Sequence, residues 1–213
     1  HQLYTKAIPD FSGRVTVPVL CDREKETIVS NESSEIIRML NWAFEDFTSV
    51  KTDYYPEELR DEIDSINARI YDKVNNGVYR CGFATTQKAY KTAFTELFFC
   101  LDDLELRLGN QRYLLGNRIT EADWRLFPTL IRFDAVYYSH FKTNLRRIRD
   151  YPELYGYTRD LYQQPGVAKT VNIEHFKQHY YYSHETINPS RIVPEGPELV
   201  FEAPHQREER FGK

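Results

Sequence analysis

With 213 residues the chain is long enough for one large domain, or for a small domain beside a larger one. Hydrophobic residues at 41%, charged at 28% and aromatic at 15% fit a globular protein and exclude disorder, and no apolar run reaches the length of a membrane helix. A net charge of −4 argues against nucleic acid as the main partner, and the three cysteines lack metal or disulfide spacing, which suits a reducing compartment.

Val15 to Leu20 and Thr27 to Val29 are expected as two strands joined by the polar turn Asp22-Arg23-Glu24-Lys25. Pro18 has no N–H for a sheet ladder and pushes Val17 to an extended backbone. The Val17 N–H and C=O are then free to pair with something else, such as the backbone of a peptide ligand. Ile36, Ile37, Leu40, Ala43, Phe44 and Phe47 recur at helical spacing, and Glu32-Ser33 begins that helix. Open N–H groups and the positive dipole end favour a carboxylate there. A backbone clamp beside a carboxylate site suits a small acidic tripeptide. Strand, turn, strand, helix is the closing ββα unit of a thioredoxin-like fold, and it buries too little surface to be stable alone. Either a preceding part completes this sheet or the helical region supports it. Thr48 to Tyr55 reads as a linker.

Everything beyond is helical. Leu59, Ile63, Ile66, Ile70 and Val74 form one face, with Pro56 near its start and Asn76-Gly77 as its expected stop. A second helix follows Thr85-Thr86, with Ala89, Ala93, Phe94, Leu97, Leu101, Leu104 and Leu108 inward and Gly109-Asn110 at its end. Two long antiparallel helices with short connections begin a bundle. Thr120 is expected as an N-cap, with Asp123 reaching back in a capping box and Ile119 as the hydrophobic staple. Ala122, Leu126, Leu130 and Phe133 continue that helix, which Pro128 should bend. Further short helices are expected over Pro152 to Tyr162 and Pro165 to Tyr180. The tail from Ser183 to Lys213 has little periodicity and is expected to wrap the surface, its last residues mobile. The fold class is therefore α+β. Residues 1–50 form a partial thioredoxin-like, ligand-binding domain, 56–182 an all-helical domain, and 183–213 an extended tail.

Val17-Pro18, Glu32-Ser33 and the capping box at Thr120 to Asp123 together resemble a glutathione transferase. The runs Asn75-Asn76-Gly77-Val78-Tyr79-Arg80-Cys81-Gly82-Phe83-Ala84-Thr85-Thr86-Gln87, Ile119 to Asp134, and Tyr162-Gln163-Gln164-Pro165-Gly166-Val167-Ala168 narrow the resemblance. With Asn172 to His175 and Thr186 to Pro189, they are similar to the Xi class, the glutathionyl-hydroquinone reductases. The similarity runs from about Phe11 to Pro197.

The resemblance implies thiol chemistry, as in the Omega class, with glutathione as co-substrate. A thiolate attacks the sulfur of a glutathionyl-hydroquinone and releases the hydroquinone, and a second glutathione resolves the resulting mixed disulfide. In that family the nucleophile lies in Cys-Pro-Trp at the start of the first helix, where the dipole lowers the thiol pKa. No Cys-Pro-Trp occurs in this chain, so the motif is expected upstream of His1. Cys21, Cys81 and Cys100 are not expected as nucleophiles, because none has an evident means of lowering its pKa. The resemblance further implies a cis-proline turn at Val17-Pro18, with Val17 pairing to the cysteinyl backbone of glutathione. Ser33 would bind the γ-glutamyl carboxylate and Glu32 the amine, although plain helix capping also explains these two. Tyr79, expected just past a helix stop, and Tyr180 would line the hydroquinone pocket as catalytic phenols, with Tyr181 as an alternative to Tyr180.

His175 and His179 have the spacing of a metal pair, but no third ligand is evident and no metal is expected. The basic stretch Lys142 to Arg149 reads as a solvated, salt-bridged helix face and not a nucleic-acid patch. No signal-peptide pattern opens the chain, which starts at His1 and whose single methionine is Met39. A cytoplasmic protein is expected, seen as a fragment, a processed chain or an ordered part. It would pair as a homodimer through the helical domain, act on quinol conjugates, and bind neither nucleic acid nor membrane. The rival reading is a non-catalytic module that keeps the transferase architecture for binding or assembly.

Overall fold

The computed structural model describes residues 1–212. The chain divides into two compact units, His1–Glu57 and Glu58–Lys213. The first unit holds helix α1 (Gln2–Ala7), strands β1 (Leu20–Asp22) and β2 (Thr27–Ser30), and helix α2 (Ser33–Trp42). The strands pair antiparallel, with Cys21 opposite Ile28 and Asp22 opposite Thr27. The Asp22 carboxylate accepts from the amides of Glu24 and Lys25, both at 2.9 Å, and so fixes the turn. The first strand starts later than expected: Val15 to Val19 lie outside the ladder, where Pro18 cannot donate. The Val17–Pro18 peptide is cis. α2 stops at Trp42, and Glu45–Phe47 form a separate 3₁₀ turn. Ile36 is the buried residue of α2, while Leu40, Trp42 and Phe47 are exposed, since a two-stranded sheet has too little area to cover them. The sequence carries no periodic signal for α1, whose one buried side chain is Tyr4.

In the second unit α3 (Arg60–Ile70) continues through a π-turn at Tyr71–Asn75 into α4 (Asn76–Gly82). The expected stop at Asn76-Gly77 is therefore not there, and Tyr79 lies inside a helix. Gly77 is buried, and a Cβ on it would sit 3.7 Å from Leu97 of α5 (Gln87–Leu108). A Cβ at that distance would make ordinary contact, so the buried face continues through Gly77 to Val78 and Cys81, one turn farther. α5 begins as expected, with the Thr86 hydroxyl accepting the Ala89 N–H at 3.2 Å. Ala93, Leu97, Leu101, Leu104 and Leu108 point into the core and Phe94 is half-buried against it, but Ala89, expected inward, is exposed, because the start of α5 from Gln87 to Ala89 is exposed throughout.

α6 (Glu121–Arg132) opens with the expected capping box. The Asp123 carboxylate accepts the Thr120 N–H at 2.7 Å and the Thr120 hydroxyl at 3.0 Å. It also accepts the Leu114 N–H at 2.9 Å and the Tyr157 hydroxyl, from α8 (Pro152–Tyr162), at 2.7 Å. Burial pushes the Asp123 carboxyl up from the ordinary carboxylate range, and these four donors oppose that push. α6 runs through Pro128 to a second π-turn, Phe133–Tyr137, and then to the short α7 (Tyr138–His140). The Asn75 amide donates to the Arg125 carbonyl at 2.9 Å and to the Thr129 hydroxyl at 2.8 Å, bracing α6 on either side of its proline.

The basic stretch Lys142 to Arg149 is loop, closed by a 3₁₀ turn at Ile148–Asp150, and not a helix face. Arg146 pairs with Asp102 and Arg147 with Asp150, so the charges are partnered as expected. The next helix, α9 (Ile173–Ser183), begins beyond Pro165 because Gly166 takes a left-handed φ of +87° and interrupts the chain. Asn172 caps it by accepting the His175 N–H at 2.9 Å. The tail is more firmly held than its composition suggests. Phe201 is buried and α10 (Arg207–Phe211) closes the described chain. Arg207, 3% exposed, donates to the carbonyls of Leu108 at 3.1 Å, Gln111 at 2.7 Å and Arg112 at 2.6 Å, satisfying the end of α5. Lys213 lies outside the described residues. Among those described, no helix is long and apolar enough to cross a membrane.

Asp123→Ala leaves four donors without their acceptor in a dry core. The expected loss is about 3–5 kcal/mol, read as a lower urea midpoint at unchanged slope. A loss under about 1 kcal/mol contradicts the role given to this carboxylate.

Candidate functional site

Two clusters hold the residues singled out by sequence, one in each unit. In the first, Tyr4 reaches from α1 to the residue before Val17. Its hydroxyl donates to the Thr16 carbonyl at 2.8 Å and receives the Thr16 N–H at 3.2 Å. The Asn31 amide donates to the Thr16 hydroxyl at 3.1 Å. This bond ties the residue preceding Val17-Pro18 to the residue preceding Glu32-Ser33, so the two dipeptides share one edge of the unit. Val17 is 88% exposed, which leaves its backbone accessible. Glu32 occupies the N-cap of α2 and Ser33 its first turn, both exposed, and no side chain caps that turn. Plain capping therefore does not account for Ser33. The Ser30 hydroxyl, which receives the Glu32 N–H at 3.1 Å and donates to Glu35 at 2.7 Å, shapes the entry to the helix instead. Tyr4, Thr16 and Asn31 were not legible as site residues, because their contacts join separate segments.

In the second unit the hydroxyls of Tyr79 on α4 and Tyr180 on α9 are hydrogen-bonded to each other. Tyr180 also meets the Tyr137 hydroxyl at 2.9 Å, giving a row of three phenols. Tyr181 turns elsewhere, bonding to the Ser139 hydroxyl and lying 3.3 Å from the Ala135 carbonyl. Burial pushes the Tyr79 and Tyr137 phenols up, so at neutral pH both keep their protons. Phe141 is the hub beneath them. Its ring stacks on Tyr137 at 5.4 Å and approaches Tyr79 at 5.3 Å and Tyr180 at 6.0 Å. Gly82 makes room for it: a Cβ there would lie 2.2 Å from the Phe141 ring. Next to the hub, His140 and His184 share a hydrogen bond of 3.1 Å between Nε2 and Nδ1. Tyr137, Phe141, His140 and His184 were all missed. The four-residue spacing of Tyr137 and Phe141 was the one local signal available.

The thiols of the chain do not approach either cluster as activated groups. Burial pushes Cys81 up to about 12 and raises Cys100 as well, while Cys21 is half-buried on β1. His175 and His179 stand exposed on α9. Among the described residues, no group of three or more His, Cys, Asp or Glu side chains could hold a metal ion.

The family model for the glutathione S-transferase C-terminal domain matches residues 87–160. The glutathionyl-hydroquinone reductase YqjG of Escherichia coli is 55% identical over 212 residues, which cover 100% of this chain and 65% of that protein. The glutathionyl-hydroquinone reductase PcpF of Sphingobium chlorophenolicum is 57% identical over 92% of this chain and 63% of its own length. The chain thus spans just under two thirds of these relatives. The glutathione-bound structure of YqjG superposes with a TM-score of 0.97, covering 99% of this chain and 68% of that one at 55% identity. Glutathione transferase Xi 1 of Trametes versicolor gives 0.89 over 92% and 69%, at 54% identity. The chain belongs to the Xi-class glutathione transferases. Its ββα segment and helical unit are those of the α+β transferase fold.

The histidine pair makes stability depend on pH. Burial, then the neighbouring His184 and Lys142, push His140 down to about 4 from an ordinary 6.5, and burial and His179 lower His184. The phenols of Tyr180 and Tyr181 also face the pair. The unfolded chain takes up a proton near 6.5 while the folded one waits until near 4, so stability present above 6.5 is lost as pH falls through that window. Urea midpoints measured from pH 7 to pH 4.5 should decline, and His140→Gln should flatten the decline by up to about one proton's worth of slope. Equal slopes refute a neutral pair.

Proposed function

We propose that the protein carrying this chain is a cytoplasmic glutathionyl-hydroquinone reductase that uses glutathione as its co-substrate. The observation that carries the reading is the Tyr79–Tyr180 hydroxyl pair, in a chain more than half identical to two reductases of that name. Binding of glutathione by the YqjG structure supports the co-substrate. The glutathionyl moiety is held by the first unit. Val17 pairs with its cysteinyl backbone beside Pro18, Ser33 takes the γ-glutamyl carboxylate, and Glu32 takes the amine. The first turn of α2 favours that carboxylate through its dipole and its uncapped N–H groups.

The attacking thiolate comes from a Cys-Pro-Trp preceding His1. The buried Cys81 and Cys100, with raised pKa values, support assigning it outside these residues. The thiolate attacks the glutathionyl sulfur, forming a disulfide and breaking the bond from that sulfur to the quinol ring. The electron pair of the broken bond stays on the ring carbon, and a phenol of the Tyr79–Tyr180 pair gives that carbon its proton. A second glutathione thiolate attacks the mixed disulfide, leaves as oxidised glutathione and restores the cysteine thiolate. The proton the phenol gave up is replaced from solvent or from the incoming thiol. Burial suits this role by keeping Tyr79 protonated until the ring carbon demands a proton. Pairing as a homodimer through the helical unit is part of the same reading and rests on family membership.

Full-length protein supplied with glutathionyl-menadiol and excess glutathione should release menadiol and oxidised glutathione. Tyr180→Phe should lower kcat/KM for this substrate by about 100-fold, the scale of one lost proton donor. Turnover of hydroxyethyl disulfide, which needs the thiol but no ring protonation, should stay within about twofold. If the wild type releases no menadiol the enzyme reading fails and a binding module takes its place. Unchanged menadiol release by Tyr180→Phe removes the phenol from the mechanism.

A further inference from the structure

α4 and α9 lie so that their site-facing residues form two successive rungs. Tyr79 lies on α4 with Phe83 as the residue just past its end, and Tyr180 lies on α9 with His184 as the residue just past its end, so the two couples run side by side. The first rung is the hydroxyl pair Tyr79–Tyr180. The second is Phe83 against His184, edge to face, with ring centroids 5.1 Å apart and planes at 77°. The rungs are close neighbours, with the Tyr180 and His184 ring centroids 5.5 Å apart. Both rungs rest on Phe141, which lies 5.4 Å from Phe83 and 5.7 Å from His184.

Exposure divides this cluster sharply. Tyr137, Phe141 and Tyr180 are buried, whereas Tyr79 is 37% and Phe83 47% exposed, and His184 is half-buried. What the cluster shows to solvent is therefore an aromatic strip made of Tyr79, Phe83 and His184. The His184 Nδ1 is taken by His140, whose ring lies nearly parallel with it at a centroid distance of 5.3 Å, so the ring cannot flip without losing that bond. His140 itself is buried and packs on Phe141 and Tyr181. His184 is thus held in place by its anchor.

We propose that Phe83 and His184 extend the quinol site by one rung, and that His184, anchored by His140, determines specificity for quinols larger than a single ring. The inference rests on the reductase reading. A single ring held at the Tyr79–Tyr180 hydroxyls spans the first rung only, while a second fused ring reaches toward the Phe83–His184 rung. There it gains an aromatic contact worth about 0.5–1.5 kcal/mol, a factor of about three to ten in kcat/KM.

The test compares glutathionyl-menadiol, with two fused rings, and glutathionyl-benzohydroquinone, with one, in the full-length protein. His184→Ala should lower the ratio of their kcat/KM values, two-ring over one-ring, by about three- to tenfold. His184→Phe, which restores a ring, should bring that ratio back to within about twofold of wild type. Phe83→Ala, at an exposed position, should lower it as His184→Ala does, and serves if the histidine variant fails to fold. Equal loss on both substrates, or an unchanged ratio in both alanine variants, overturns the second rung. Absence of turnover by the wild type on either conjugate is a separate result, which overturns the reductase reading on which the rung depends.

Discussion

The helical unit depends on one buried carboxylate. Asp123 takes four donors from three stretches of chain, the Leu114 amide, the Thr120 amide and hydroxyl, and the Tyr157 hydroxyl. A desolvated carboxylate is tolerable only when such donors replace its water, and each donor in turn would be costly without it. The result is a fixed origin for α6 against α8. From that origin α6 runs past Pro128, braced by Asn75, into the π-turn that carries Tyr137 and then to Phe141. The phenol row and its aromatic floor are thus set from a node two elements away. A second node, Arg207 on the carbonyls of Leu108, Gln111 and Arg112, secures the end of α5 and the turn beyond it.

The first unit is organised on a smaller scale. Tyr4 and Asn31 converge on Thr16, and this convergence aligns the exposed Val17 backbone and the uncapped start of α2 along one edge. Both features leave polar groups open where most folds would close them. Open backbone at a strand end and at a helix start suits a ligand that brings its own amide and carboxylate.

Local chemistry was legible in the sequence, and contacts between distant segments were not. The capping box at Thr120 and Asp123, the start of α5 after Thr85-Thr86 and most of its inward face follow from spacing within a few residues, whereas Ala89, expected inward, lies in the exposed start of that helix. Asn76-Gly77 misled because the same dipeptide also fits inside a helix, and what keeps this helix going, the burial of Gly77, Val78 and Cys81, involves Leu97, twenty residues away from the glycine. The strand at Val15 failed for a related reason, since apolar alternation cannot reveal that no neighbour pairs there. Of the site, Tyr79 and Tyr180 were reached through family resemblance, and their hydroxyls do meet. That Tyr180 and not Tyr181 meets the Tyr79 hydroxyl turns on helix phase, which no motif encodes. Phe141, His140 and His184 needed the fold itself, because their meaning lies in three-dimensional stacking and in the absent Cβ of Gly82.

The central claim is that the Tyr79 and Tyr180 hydroxyls work as one proton-donating unit. A double-mutant cycle on kcat/KM for glutathionyl-menadiol, with Tyr79→Phe, Tyr180→Phe and the double variant in the full-length protein, measures it most directly. If the hydroxyls act as a unit, the double variant is no worse than the more damaged single variant, within about threefold. Losses that multiply across the two positions would show two independent phenols and contradict the account.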